Sequence, residues 1–285
     1  MKKINLLFKS LFIISFWIFF CLILINLNPI YAINLNENIQ ITKTTFKKTE
    51  ISIITVPKNF KIKTLSSIKN QTLNDFFKDK NHIMAINGGY FNHSNGLSVS
   101  FVLSESKIIA DPRKNNDLVN NKELKPVIDK ILNKRSEFRV IKKDNEFYYD
   151  IDFRDVKKDN IFYSIQAGPQ LLPNVELEKE GFIIKNKNGQ IIRDSISSLS
   201  KTSRSAIGIK ENGDIIFMSC SGKNGQGLTI QEEADFMKKL GCKKALNLDG
   251  GSSVSMMWVE NNIKKYFIGK EKTLPYINSA IIVTK

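Results

Sequence analysis

Short β-type runs closed by turn signals constrain this chain more than any other feature. ISIITV (Ile51 to Val56), HIMAIN (His82 to Asn87), SVSFVL (Ser98 to Leu103), EFYYDIDF (Glu146 to Phe153) and GFIIKN (Gly181 to Asn186) recur through the first two thirds. SAIGIK (Ser205 to Lys210), DIIFMS (Asp214 to Ser219), ALNL (Ala245 to Leu248) and SAIIVT (Ser279 to Thr284) follow. Ile, Val, Phe and Tyr dominate these runs, and such residues suit a pleated, half-buried surface. The Asn212-Gly213 pair between two of them predicts a hairpin. Helical patterning is rarer. Ile230 to Leu240 carries an apolar stripe, with Thr229 and Glu232 forming a capping box and Gly241 as a stop. Shorter helices are predicted over Thr72 to Asp79 and Pro126 to Asn133. The expected fold is α+β, a sheet-rich single domain with a few helices packed on the sheet. No linker or fixed-period repeat interrupts it after Ile39.

The 285 residues suffice for a substantial core, and the 42% hydrophobic and 25% charged content excludes disorder and fibre classes. The segment from Asp111 to about Asp159 is the most polar and is expected to be a long surface excursion. An insertion or flap is the other reading.

The N-terminus carries a targeting signal. MKKINLLFKS is basic, Leu11 to Ile25 is apolar almost throughout, and NPIYA ends in the small residue Ala32. This is the three-part shape of a secretory signal. Residues 1–32 are therefore expected to be a signal peptide, or else an uncleaved membrane anchor through residues 11–25, and residues 33–285 the functional domain. The expected location is secreted, periplasmic or cell-envelope. Cys21 follows Phe20, which a lipid-attachment site disfavours. Outside this segment only Cys220 and Cys242 remain. A disulfide and two free thiols are both compatible with export. Two cysteines and two histidines make a structural zinc site a poor fit.

The formal net charge is +15, which favours anionic partners. The basic residues are scattered in pairs such as Lys47 and Lys48, with no long run and no nucleic-acid motif, so nucleic acid is not the expected partner.

Four glycine-bearing polar clusters sit at the ends of apolar runs: AINGGYFN (Ala85 to Asn92), AGPQLL (Ala167 to Leu172), SRSAIGI (Ser203 to Ile209) and NLDGGSSVS (Asn247 to Ser255), with CSGKNGQGLT (Cys220 to Thr229) as companion. Asn87 offers a donor and an acceptor beside Gly88 and Gly89, and Tyr90 and Phe91 offer flat apolar faces. A tight turn over buried aromatics explains the same residues. Arg204 supplies a fork suited to phosphate or carboxylate, although a lone arginine is more often solvated. CSGKNGQGLT lacks the Gly-Lys-Ser/Thr order of a phosphate loop, but a glycine turn feeding a helix favours an anion. Strand alternation puts Asn247 and Asp249 on one side, opposite Leu246 and Leu248. Gly250 and Gly251 permit a tight turn, and Ser252 and Ser253 bring hydroxyls to the carboxylate. An Asx turn capped by Asp249 is the structural alternative.

In order along the chain, NGGYF, AGPQLL, RSAIGI, NGQGLT, NLDGGSS and the closing INSAIIV resemble the phosphodiester glycosidase family from about Ile51 to the end. The resemblance implies a hydrolase of the bond between a sugar anomeric carbon and a phosphodiester. Such a leaving group needs charge neutralisation more than protonation, while the sugar carbon gains oxocarbenium character. The resemblance thus assigns Asp249 to the sugar carbon and Arg204 to the phosphate. Asn87, Tyr90 and Asn247 are then expected to contact the sugar, Gly88, Gly89, Gly250 and Gly251 to give close backbone contacts, and Ser252 and Ser253 to support Asp249 or the phosphate. Some relatives carry a third glycine where Ser252 stands, which makes Ser252 less secure than Ser253. Glu232 and Glu233 are candidates for a second carboxylate, with helix capping as their other role. His93 is a further acid candidate or a solvated loop residue. No cofactor is expected, with a divalent cation on Asp249 and backbone carbonyls left open. The expected partner is a sugar-phosphate or anionic glycan. A non-catalytic glycan-binding envelope protein and an exported phosphodiesterase are the competing readings.

Overall fold

A computed structural model describes residues 31–35 and 39–285. Residues 1–30 of the expected export segment 1–32 lie outside the described residues. No helix among the described residues is long and apolar enough to cross a membrane.

The architecture is sheet-rich with few helices. A seven-stranded sheet runs in the order β1 (Tyr31–Leu35), β2 (Ile39–Phe46), β3 (Thr49–Val56), β15 (Ile215–Cys220), β14 (Ser205–Lys210), β16 (Cys242–Asn247), β11 (Gln170–Leu172). A five-stranded sheet orders β18 (Ile263–Ile268), β17 (Ser255–Glu260), β5 (His82–Asn87), β19 (Ile277–Thr284) and β4 (Lys61–Gln71). A second five-stranded sheet orders β7 (Lys107–Ala110), β6 (Val102–Ser104), β10 (Ile161–Gln166), β8 (Ser136–Lys143) and β9 (Glu146–Phe153). β12 (Ile183–Lys185) and β13 (Ile191–Asp194) form a separate ribbon. Every pairing is antiparallel, as expected of strands joined by short turns.

One apolar cluster draws on all three large sheets, including Ile54, Ile86, Phe138, Ile165, Ile207, Leu246, Trp258 and Ile281. Strand alternation sends the neighbouring side chains outward. In β14, Ile207 and Ile209 enter this cluster while Ala206 faces a second cluster. That second cluster lies under helix α3 (Ile230–Lys239), whose Ile230, Ala234, Phe236 and Met237 cover the outer face of the seven-stranded sheet. The predicted capping box is present, and Gly241 adopts φ +82°. Helix α1 (Leu73–Phe76) covers the outer face of β5, β17 and β19 through Leu73 and Phe76, and is shorter than the predicted span. Helix α2 (Asn116–Val119) and a π turn at Lys130–Lys134 lie in the polar segment, the latter overlapping the predicted helix over Pro126 to Asn133 and ending one residue beyond it.

One expectation needs correction and one open alternative closes. The polar segment is no surface excursion in its second half, because β8 and β9 place Phe138, Val140 and Ile151 in the main core. Cys220 and Cys242 are free and buried. Cys220 lies beside Arg204 and Cys242 pairs in register with Lys210, at opposite ends of β14. Six residues of strand separate those ends by roughly 18 to 20 Å, against about 4 to 7 Å between Cα atoms of a disulfide.

Candidate active site

The glycine motifs meet where the chain passes between sheets. β16 ends at Asn247 in the seven-stranded sheet, and β17 begins at Ser255 in the first five-stranded sheet. Asp249 to Val254 make the crossing. Asp249 N donates to Gly88 O (2.9 Å), and Asn87 Nδ2 donates to Asp249 O (2.7 Å). The two motifs thus clamp each other through both main-chain groups of Asp249. Gly251 N donates to Ser203 O (2.9 Å) and Ser203 Oγ donates to Gly251 O (2.7 Å), which ties the crossing to the third motif. Gly251 adopts φ +61°, where glycine is favoured.

The crossing forms one wall of a pocket of about 400 Å³. Asp249, Gly250, Gly251 and Ser252 line it with Tyr90, Phe91, Arg204 and Lys270, and His93 stands at the rim. Desolvation pushes the Asp249 carboxyl up to about 7, against the opposing pull of the Ser253 hydroxyl and the Gly250 amide. Ser253 Oγ is itself buried. A carboxylate poised near neutrality in a concave pocket can act as base, nucleophile or charge stabiliser. A larger groove of about 550 Å³ lies near Lys58, Phe147 and Gly213, at the far end of β14, and includes none of the motif residues around Asp249.

The other candidates divide between lining and support. Asn87 is fully buried, and its Oδ1 accepts from Ser205 Oγ (2.7 Å) and Ser255 N (3.2 Å). With one Nδ2 N–H on Asp249 O and the whole side chain buried away from the pocket, it does not face a sugar, which corrects the expected contact. Asn247 is also buried, and its Nδ2 donates to Tyr90 Oη and Gly168 O, both at 2.7 Å. Tyr90 Oη in turn donates to Gly168 O (2.7 Å). Asn247 therefore holds the tyrosine ring in the pocket wall through Nδ2, while its Oδ1 is buried without a partner. Gly88 and Gly89 are buried too. A Cβ on Gly88 would stand 2.5 Å from Ile165 Cδ1, and one on Gly89 would stand 2.4 Å from Gln166 O. They are glycines for packing between sheets, and they do not reach the pocket.

Arg204 is corrected most. It is 1% exposed, and its Nε donates to Leu228 O (3.0 Å) and Nη1 to Ile196 O (2.9 Å). Its Nη2 donates to Ser197 O (2.8 Å) and Ser200 O (3.2 Å). Of five guanidinium N–H groups one remains, on Nη1. The fork is built into the 196–200 turn, so a bidentate grip on phosphate is closed to it.

The two glutamates separate. Glu232 caps its helix and pairs with Lys47 at 3.1 Å. Glu233, one residue on, is fully buried with neither carboxylate oxygen bonded, and burial pushes it up to about 8 against the pull of Arg204. The start of α3 is also no open anion site, because Ile230 N donates to Ser198 O and Thr229 and Glu232 satisfy each other. Lys270 and Ser197 line the pocket without a sequence signal, each lying in a polar loop. Among the described residues no group of three or more His, Cys, Asp or Glu could hold a metal ion.

A family model described as phosphodiester glycosidase matches residues 80–284. No curated protein matches the sequence. Among solved structures, a hypothetical protein from Synechocystis aligns over 90% of this chain and 64% of its own, with TM-score 0.60 and 17% identity. The chain thus spans less than two thirds of that protein's length. The catalytic domain of zebrafish N-acetylglucosamine-1-phosphodiester alpha-N-acetylglucosaminidase, auto-inhibited by its pro-peptide, aligns over 90% of this chain and 81% of its own, with TM-score 0.59 and 16% identity. At these identities the likeness is one of fold.

Proposed function

The chain belongs to the phosphodiester glycosidase family, and from that premise we propose that it hydrolyses the bond between a sugar anomeric carbon and a phosphodiester. One observation carries the reading. Asp249, the carboxylate of the NLDGGSS motif, lines a pocket whose walls are fixed by three of the other family-like motifs. A carboxylate beside the anomeric carbon stabilises positive charge as the phosphodiester departs. Tyr90 and Phe91 supply flat faces for the sugar ring, and Ser252 and Gly250 supply polar and main-chain contact at the Asp249 side. Lys270 and the remaining Arg204 N–H add positive charge to a pocket meant for an anionic substrate. Asn87 and Asn247 are positioning residues, acting through Asp249 and Tyr90.

We read the functional unit as one domain, supported by the apolar cluster shared among the sheets. The basic start and apolar stretch Leu11 to Ile25 support export, with release or anchoring as the two ends of that step. Export and the +15 charge together support a substrate among anionic cell-envelope or extracellular glycans.

The test is sugar release from a panel of UDP-sugars and sugar-1-phosphodiester analogues by the purified chain and by Asp249→Asn. The expected result is turnover by the parent and loss of at least about 100-fold in the variant. Equal turnover by both would remove Asp249 from the chemistry. Binding of the analogues without turnover at any enzyme concentration would favour the glycan-binding alternative.

A further inference from the structure

Once Arg204 is tied to carbonyls, the pocket needs another group for the leaving anion. A second chamber of about 250 Å³ adjoins it, sharing Tyr90, Phe91, Ser195 and Ile196 as a common wall. Arg135 and Arg193 both line that second chamber, together with Phe182 and Leu118.

Arg135 is a nearly buried cation, 4% exposed, with no ion pair among the described residues. Its guanidinium lies 4.1 Å from the centre of the Phe182 ring and 5.5 Å from that of Tyr90. Only Nε has an acceptor, Glu180 O at a long 3.4 Å. Nη1 and Nη2 have none among the described residues. Burial pulls its pKa down to about 10, still far above neutrality, so the charge stays. Glu180, the nearest carboxylate, accepts from Ser136 N (2.8 Å) and Gln170 N (2.6 Å) and is pushed up by burial to about 7. It is a weak counter-charge. Arg193 is half-buried, and one nitrogen donates to Gly181 O (3.0 Å). Its neighbour Asp194 is turned toward Ser198 N and Oγ and Ile196 N. The one carboxylate in the chamber lining is Asp117, which accepts from Asn95 Nδ2 (2.6 Å).

Desolvating an unpaired cation is costly, and folds keep one where a ligand supplies the missing charge. A guanidinium stacked on aromatic rings presents its N–H edge, the geometry that grips a phosphate with two donors. We propose that this chamber seats the departing phosphodiester, with Arg135 and Arg193 on its phosphate oxygens and the apolar wall of Phe182 and Leu118 against the first carbons of its second substituent. The inference rests on the hydrolase reading and adds a substrate class to it: diesters whose second substituent begins with an apolar or aromatic face. Asp249 and Arg135 both act on Tyr90, so the sugar carbon and the leaving group meet beside that ring, with Asp249 at the one and the arginines at the other.

The test has two arms on the full chain. In the first, kcat/KM is measured for a sugar-1-phosphodiester and for a neutral nitrophenyl glycoside of the same sugar. Arg135→Gln and Arg193→Gln should each lower the diester-to-neutral ratio by about 30- to 100-fold, with Arg135→Lys recovering part of it. A ratio that stays at the parent value in both variants overturns the proposal. In the second arm, binding of phenyl phosphate is followed by calorimetry with Asp249→Asn as background. Saturable binding that Arg135→Gln weakens at least 10-fold supports the seat, and absence of binding in the parent background overturns it. Thermal unfolding of each variant separates loss of the seat from loss of the fold. If the parent turns over neither substrate, the hydrolase reading fails, and phenyl phosphate still decides whether the chamber is an anion site.

Discussion

Asn87 is fully buried with both polar atoms engaged inside the protein, yet its replacement should be felt at the site. Asn87→Ala removes the bond to Asp249 O, takes the side-chain acceptor from Ser255 N and leaves Ser205 Oγ with Ser219 Oγ alone, all in a buried region. Buried groups left unpaired cost about 1 to 3 kcal/mol each, so the variant should unfold well below the parent. The surviving folded enzyme should show reduced kcat with KM little changed, because the carboxylate is misplaced while the pocket walls remain. Kinetics at a temperature where the variant is fully folded would check this, and an unaltered kcat would contradict the clamp. Gly89→Ala tests the sheet contact apart from the chemistry. Its Cβ would overlap the main-chain oxygen of Gln166, which cannot move aside cheaply. Overpacking of this kind costs about 1 to 3 kcal/mol, read as a lowered urea midpoint with an unchanged slope.

At the scale of elements, β8 and β9 carry a buried charge cluster that holds the second five-stranded sheet. Glu137 accepts from Arg139 Nε (2.8 Å) and Arg154 Nη1 (2.9 Å), and Arg139 is 1% exposed. Glu137→Gln leaves a buried guanidinium without its counter-charge and should cost about 3 to 5 kcal/mol. Chemical denaturation would show it, and a loss under 1 kcal/mol would mean that water already reaches the pair. This hairpin also shows where sequence reading stops. EFYYDIDF was legible because its branched and aromatic residues alternate. Its partner SEFRVIKK was not, since charged residues occupy the non-core positions and the segment around it is polar throughout. Its turn is Asp144-Asn145 with both φ positive, as are Lys47-Lys48, Glu105-Ser106 and Asn261-Asn262. Without glycine, those four turns give a weak hairpin signal. The motif residues were legible as a group, because glycines at strand ends mark close approach of backbone. Their division into lining and support was not, because an asparagine that faces a sugar and one that clamps a carboxylate have the same sequence. Arg135 was invisible for a related reason: its importance comes from Tyr90 and Phe182, 45 and 47 residues away along the chain.

For the whole molecule, three desolvated carboxyls, Glu180 and Glu233 in the interior and Asp249 in the pocket wall, set an unusual pH response. Burial raises Asp249 and Glu180 to about 7 and Glu233 to about 8, whereas in the unfolded chain they ionise near 4. Between those values the folded state holds protons that the unfolded state has released. Stability therefore falls as pH rises from about 4 to about 8, the reverse of the response of a salt-bridged carboxylate. Asp75, Asp79, Asp111 and Glu232 are lowered, so their linkage acts below the unfolded carboxylate range and leaves this window clear. His82 acts with the opposite sign, because burial lowers it and stability from it rises with pH up to about 6.5, the unfolded imidazole value. One histidine stands against three carboxyls, so the net slope is downward. The melting temperature should drop between pH 5 and pH 8, and Glu233→Gln should flatten that slope and melt higher than the parent at pH 8. Asp249→Asn should do the same while abolishing turnover, since the group that destabilises the fold when ionised is the group the reaction needs ionised. Activity of the parent should accordingly rise with pH through about 7, where stability is falling. A melting temperature that climbs steadily from pH 5 to pH 8 would show that these carboxyls are solvated or paired, and the link between the pocket's chemistry and its cost to the fold would be gone.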